Sequence, residues 1–455
     1  LNEYHDLLAI ENPAAELQLI RRSADGMHLF FRQLHENVPV FAGELAIHLD
    51  ADSVLSLNGE YVPHVAVPSI PNLATGLAEQ VALAASNGGD AVVGDTQLRY
   101  VDLALLGLPD GETYLTWQVH VGRQESLAKL ETIFVDAFTG SIVFRVTNAQ
   151  DNHKPPLDLD LEDGNDDYDD ELCGLASDDD IGANGAPPES VNANNHFRTV
   201  YNYWINTFDR NSYDDDEAQA EVNIHVQFRP LRPGGPNTVN ASYGLCDLFF
   251  FSRNTTRLDI TGHEWTHAVD DSEGGLIYAN QSGAIDESFA DIFGYMVDPS
   301  NFLLGENSAF ARAPVPGVAG CSATQAARDI GNPPCFGDPD HVQGAIRGDG
   351  QGLRPAVANP NLGNDNGSVH TNSGINNKAA FLIMQGSGAG ALNGYKVHGI
   401  GRAKAQWLFH NVLVNRVTAG TNLQTLRNLT VQEAIDLANA KAPGDHGFGD
   451  SFQDK

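Results

Sequence analysis

The sequence predicts an α+β chain of two globular regions joined by an acidic stretch. Three observations carry that prediction. Residues 1 to about 148 alternate apolar and polar side chains in short runs punctuated by turn residues, the period-two signature of half-buried strands. Positions 158–180 hold 12 acidic residues and no basic ones, so like charges repel and little can be buried. From 259 onward apolar residues recur mostly at helical spacing.

In the first region, "GMHLFFRQLHENVPVFAGELAIHLDADSVLSLNGEYVP" reads as a β-meander with turns at "DAD" and "NGE". "NLATGLAEQVALAASNG" has helical spacing and a glycine stop. "TYLTWQVHVG" and "LETIFVDAFTGSIVFRV" alternate again and predict further strands. The acidic stretch, 149–187, reads as a solvated linker. A calcium loop of EF-hand type fails there, because Asp163 stands where the register Asp158, Asp160, Glu162 requires glycine. The second region opens near 188. "NNHFRTVYNYWINTFDRNSYD" spaces its aromatics as a helix, and "AEVNIHVQF" reads as a strand. Helices are expected at 259–273, 281–297, 372–386, 398–418 and 430–440, with the longest loop at 305–368. No internal repeat is evident.

The 455 residues leave room for two or three domains, and no uninterrupted apolar run of about 18 residues predicts a membrane span. A net charge of −34 argues against a nucleic-acid partner, because affinity for phosphates comes from Lys and Arg. It suits a soluble, self-repelling surface or bound cations. Cys173, Cys246, Cys321 and Cys335 form no C-x-x-C pair. They favour two structural disulfides in an oxidising compartment over free buried thiols. Cys321 with Cys335 would close a short loop rich in Pro and Gly, leaving Cys173 with Cys246.

The chemistry concentrates in "HEWTHAVDDSEGGLIYANQSGAIDESFADIFG", which starts at 263. His263 and His267 are four apart, so on a helix both imidazoles can reach one tetrahedral zinc. Glu264 stands beside the first ligand, where it can act as base toward a metal-bound water. Glu287 follows after 19 intervening residues, room for a turn and a returning helix that brings a third ligand. Asp291, one helical turn on, can accept the second N–H of His263. The bland alternative is a pair of polar helix faces, yet "SGAIDESFADIFGYM" is largely apolar, and buried carboxylates need partners. Asp270 and Glu273 occupy the positions where a metzincin places its glycine and third histidine, which excludes that arrangement.

These residues resemble the active-site block of the thermolysin family of neutral metallopeptidases: His-Glu-x-x-His, then "GLIY", "SGAIDE" and "DIFG". "ARD" at 327–329, "GDPDH" at 337–341 and "NDNGSVHTNSGINNKAAFLI" at 364–383 follow in family order. The resemblance covers about 188–440, and residues 1–148 resemble the family's propeptide, a fungalysin/thermolysin-type segment (about 15–65) followed by a PepSY-like module (about 70–148).

The resemblance implies a two-lobed catalytic domain. A β-rich lobe (188–275 with the zinc helix) would precede a helical lobe (276–455). The resemblance further implies that His263, His267 and Glu287 bind Zn²⁺ and that Glu264 is the general base. Tyr278 and His370 would be the oxyanion donors, with Asp365 holding the His370 ring. Asn240 and Ala241, in "NTVNASYG", would meet the substrate backbone on an edge strand, although the stretch up to His263 is shorter than the family's and differs from it. Arg328 would bind a substrate carbonyl, and Phe251, Ile260 and Leu304 would line a pocket favouring bulky apolar residues after the cut. Asp259, Asp298 and Glu306 align with calcium ligands, although "PSNFLLGEN" lacks some of the family's acids. The implied protein is a secreted, monomeric zinc endopeptidase acting on proteins or peptides and made as a zymogen. Its own residues 1–148 would be chaperone and inhibitor, and the maturation cut would fall before Cys173. The family's final helix is expected to be truncated at Lys455. An aminopeptidase lacks its amine-binding motif here, and a dead binding protein would not keep Glu264, Tyr278 and His370 together.

Overall fold

The structure, a computed structural model, describes residues 10–23, 25–50, 53–86, 90–108, 111–123, 126–148, 160–163, 188–216, 218, 220–224, 240–244, 248–343, 352–388 and 396–439. The expected meander is present as β1 (Leu17–Arg22), β2 (His28–His35), β3 (Val38–Asp50) and β4 (Ser53–Glu60), each antiparallel to its neighbour. The helix expected next is α1 (Thr75–Ala85), followed by β5 (Ala91–Val92), β6 (Gln97–Asp102), β7 (Thr113–Arg123), β8 (Ser126–Asp136) and β9 (Ile142–Asn148). The two stretches expected as separate modules share one sheet. β3 pairs in parallel with β6 at Val40–Tyr100 and Phe41–Val101, so the path runs β1-β2-β3-β6-β7-β8-β9. α1 covers one face, laying Ala78 and Ala82 against Val119, Val121, Ile133 and Val135.

Of the acidic stretch 149–187 only Asp160–Asp163 lies among the described residues, and there it departs from the linker expectation. Asp160–Asp163 forms β10, a parallel edge strand on β11 (Glu221–Ile224). The alternation L-D-L-D-L supplies the strand period, and pairing on one edge gives the backbone partners that a solvated linker would lack. The sheet continues through β13 (Leu248–Phe251) to β12 (Ala241–Gly244) at its other edge. Above it lies α2 (Pro188–Phe208). Its Ala193, Phe197, Val200, Trp204 and Phe208 recur every three or four residues, so they form one apolar stripe. That stripe meets Phe249, Trp265 and Phe293 in the main core.

α3 (Leu258–Ser272) runs through this core and is buried from Asp259 to Asp270. α4 (Asn280–Val297) crosses it closely, because Gly262 and Gly294 meet at the crossing. A Cβ on Gly294 would lie 2.6 Å from the Asp259 carbonyl oxygen. β14 (Leu303–Leu304) and β15 (Arg328–Asp329) form a small antiparallel pair. α5 (Asp365–Gln385), α6 (Arg402–Asn415) and α7 (Leu423–Asn439) complete the helical half. α5 begins earlier than expected, through a turn with positive φ at Asn366, Gly367 and Ser368. α7 also begins seven residues before the expected 430. Cys321 and Cys335 are disulfide-bonded as expected; Cys173, Cys246 and the chain end after 439 lie outside the described residues. Among the described residues no helix is long and apolar enough to cross a membrane.

The amino-terminal sheet docks on the helical half through polar and apolar contacts. Arg21 pairs with Glu273 and donates to the Val414 carbonyl at 3.1 Å, and Arg210 holds the other Glu273 oxygen at 2.9 Å. Asn58 donates to the Arg416 carbonyl at 2.8 Å. Ile277 and Ala279 enter the apolar cluster of Phe134 and Phe144, between β8 and β9.

Candidate metal centre and active site

α3 and α4 bring His263, His267 and Glu287 together. Their ligand atoms lie within 4.8 Å of one another, and among the described residues this is the one group able to hold a metal. His263 Nε2 is 3.1 Å from His267 Nε2. Glu287 reaches them at 3.5 and 3.6 Å. Ligands about 2.0–2.2 Å from a tetrahedral zinc stand about 3.3 Å apart, so these separations fit. Two further observations agree. Glu287 Oε2 is buried without a hydrogen-bond partner, a cost that a cation would remove. Both imidazoles also turn their Nδ1 edges away from the centre onto carboxylates, which leaves the Nε2 lone pairs facing inward.

Those carboxylates are Asp291, 3.0 Å from His263 Nδ1, and Asp286, 2.8 Å from His267 Nδ1. The sequence reading found the first and missed the second, although Asp286 stands beside Glu287 in the same apolar run. Burial opposes charge on His267, but Asp286, Glu287 and Glu264 outweigh it and push its pKa up to about 10. Burial would raise the Glu287 carboxyl, yet His370, His267 and His263 together hold it well below the usual carboxylate range.

Glu264 is buried beside the triad, and its Oε2 accepts the Tyr243 N–H from β12 at 3.0 Å. Burial pushes its pKa upward against the pull of His263 and His267. Tyr278 donates its hydroxyl to Glu287 Oε1, and His370 Nε2 stands 3.2 Å from the same oxygen. Asp365 holds His370 Nδ1 at 2.5 Å. The turn before His370 is tied to the start of α4. Asn280 bonds the Val357 backbone through both side-chain atoms, and Gly367 lies so close that a Cβ would sit 2.1 Å from Asn280 Oδ1. Arg328 reaches the centre from β15, with Nε 2.9 Å and Nη2 2.7 Å from Asp291 Oδ1.

The remaining expected residues lie as follows. Ala241 begins the edge strand and Asn240 precedes it exposed, tied to Ser252 by backbone and hydroxyl bonds of 2.9 and 3.0 Å. Phe251, Ile260 and Leu304 are buried in the main core. Asp259, Asp298 and Glu306 are not gathered into a metal-holding group. Asp259 accepts the Ile260 N–H at 2.9 Å on one oxygen and the Gly305 N–H at 2.5 Å on the other. Burial raises its pKa to about 6.

Comparison with known proteins places this geometry. Residues 144–271 match the thermolysin metallopeptidase catalytic domain, and residues 274–453 match the thermolysin metallopeptidase alpha-helical domain. Bacillolysin of Brevibacillus brevis is 28% identical over 453 residues, covering 92% of this chain and 80% of that protein. Bacillolysin of Bacillus caldolyticus is 38% identical over 253 residues, 54% of this chain and 42% of that protein. Thermostable neutral protease NprT of Geobacillus stearothermophilus is 37% identical over 253 residues, 54% of this chain and 41% of that protein. The matched part thus spans about two fifths of the last two relatives and most of the first. With two successive family domains matched across 144–453 and a three-ligand centre between their helices, the chain belongs to the thermolysin family of metallopeptidases.

Proposed function

We propose that this chain is the precursor of an extracellular zinc endopeptidase. The observation that carries the reading is the convergence of His263, His267 and Glu287, with the Glu264 carboxylate buried beside them. Zinc held there supplies a Lewis acid that polarises a peptide carbonyl and acidifies water. Glu264 takes a proton from the attacking water and delivers it to the leaving amine nitrogen. Its raised affinity for protons, a result of burial, suits that exchange. Tyr278 Oη and His370 Nε2 meet at Glu287 Oε1, from which they can turn to donate to a developing oxyanion. Asp365 keeps His370 oriented and favours its charged form. The substrate lies extended along β12 at Asn240 and Ala241, and Arg328 holds a carbonyl beyond the scissile bond. A preference for a bulky apolar residue after the cut follows the family resemblance; Phe251, Ile260 and Leu304, its expected pocket lining, are buried in the main core.

The amino-terminal sheet serves as propeptide, and its docking on the loop around Tyr278 supports an inhibitory role. A cut that leaves β10 in the catalytic sheet falls between Asn148 and Asp160, ahead of Cys173; amino-terminal sequencing of the matured protein checks this. The disulfide and the acidic charge suit an oxidising, extracellular setting.

Hydrolysis of a fluorogenic peptide with Phe or Leu after the scissile bond tests the activity. Glu264→Ala should lower kcat by about 10²–10⁴, and a chelator should abolish wild-type activity reversibly. Equal turnover in both proteins, with zinc bound, would end the reading.

A further inference from the structure

Asp291 is held from more sides than an orienting carboxylate needs. Oδ1 faces His263 Nδ1 at 3.0 Å and both Arg328 nitrogens at 2.7 and 2.9 Å. With one oxygen serving a histidine and an arginine, the carboxylate plane could turn toward the stronger cationic partner and away from the imidazole. The opposite oxygen prevents that turn. Oδ2 accepts a 2.7 Å hydrogen bond from Nδ2 of Asn377, a residue on α5 that is 1% exposed.

The Asn377 amide is itself fixed. Ser288 Oγ donates to Asn377 Oδ1 at 2.6 Å, and Asn376 Nδ2 donates to Ser288 Oγ at 3.0 Å. All three bonds point the same way, Asn376 to Ser288 to Asn377 to Asp291. The carboxylate takes only donors, which requires Nδ2 toward Asp291. The oxygen left over is the one that Ser288 satisfies. An asparagine in a helix interior is an unfavourable choice, and its buried amide would cost free energy unpaired. This relay gives each of its polar atoms a use. It also joins the helix that carries His370 to the ligand His263.

We propose that Asn377 is a positioning residue for the metal centre, which locks Asp291 so that its Oδ1 stays on His263 Nδ1 while Arg328 shares the same atom. The proposal rests on the zinc reading above. It assigns Asn377 no contact with substrate or metal; it acts through Asp291.

Zinc affinity of the full chain, measured by chelator competition, is the test. Partners of a ligating histidine are worth about 10–100-fold in metal affinity; Asn377 acts one bond further out, so Asn377→Leu should weaken zinc by about tenfold. In an Asp291→Ala background the same substitution should add less than about twofold, because residues coupled through one intermediary are non-additive. Ser288→Ala should move affinity in the same direction by less, and it serves if Asn377→Leu does not fold. Absorption of the cobalt-loaded protein should shift in Asn377→Leu. Unchanged affinity and spectrum, with only a lower Tm of the metal-free protein, would reduce Asn377 to packing and overturn the proposal. An unchanged tenfold loss in the Asp291→Ala background would overturn the route through Asp291. Wild-type protein that retains no zinc would overturn the zinc reading and the proposal with it.

Discussion

Two histidine pairs in this molecule make nearly the same contact and have opposite chemistry. At the metal centre His263 and His267 face each other at 3.1 Å through Nε2. In the amino-terminal sheet His28 and His48 face each other at 2.7 Å through Nδ1. The first pair rests on Asp291 and Asp286, and the pKa of His267 climbs to about 10. The second pair rests on an amide, Asn58, 2.5 Å from His48 Nε2, and feels the positive charge of Arg416. Burial there, only partly offset for His28 by Asp25, drives His28 down to about 4. Burial and then Arg416 drive His48 down to about 3. What separates a metal cradle from a neutral contact is the charge of the second neighbour, because that charge decides whether protonation or a cation is welcome.

The largest test of this contrast removes a carboxylate from the first pair. Asp286→Ala should weaken zinc by about 10–100-fold, the usual worth of a histidine's outer partner, read by chelator competition. Affinity within about twofold of wild type would mean that the carboxylate is not what sets this pair apart.

The second pair predicts acid sensitivity. Both rings are neutral in the folded chain and would titrate near 6.5 once exposed. The unfolded state therefore binds more protons below that pH, and stability is lost as pH falls from about 6.5 toward 4, by up to about 1.4 kcal/mol per pH unit for each ring. Four charged groups face this pair. Asp25 and Asp436 favour the charged form of His28, and Arg21 and Arg416 oppose it. Urea midpoints of Glu264→Ala protein at pH 7 and 5 should differ more than those of the same protein carrying His48→Gln. Parallel losses in the two proteins would show that the histidines titrate normally.

The smallest effect comes from making the second pair resemble the first. Asn58→Asp gives His48 a carboxylate neighbour. Its pKa, followed by NMR with labelled histidine, should rise from about 3 toward the ordinary range. No movement would mean that burial alone governs it.

The metal centre was far more legible in the sequence than this contrast. His263, His267, Glu287 and Asp291 obey helical spacing, and spacing survives folding. Asp286 escapes the spacing argument because it lies next to a better candidate, and periodicity ranks faces of a helix rather than adjacent residues. β10 was hidden by composition: the alternation in "LDLDLED" was visible, but its acidity argued louder than its period. The seam between Asn58 and Arg416 joins positions 358 apart, and local pattern carries no trace of such a pairing. The calcium reading came from resemblance alone, and the backbone amides that Asp259 accepts could be seen only after folding.

Tyr278 sits at the centre of a tight turn, in which the Ala279 N–H bonds back to the Ile277 carbonyl at 2.6 Å. Ile277 and Ala279 point into the cluster built on Phe134 and Phe144, and Tyr278 points at Glu287. A hydroxyl at the reactive centre is thus strung between two pegs seated in a different part of the protein. Parts of this molecule are not freely interchangeable as a result. A chimera that keeps residues 160–439 and borrows another amino-terminal sheet must reproduce two small sockets, or the tyrosine will be aimed differently without any change at the catalytic residues.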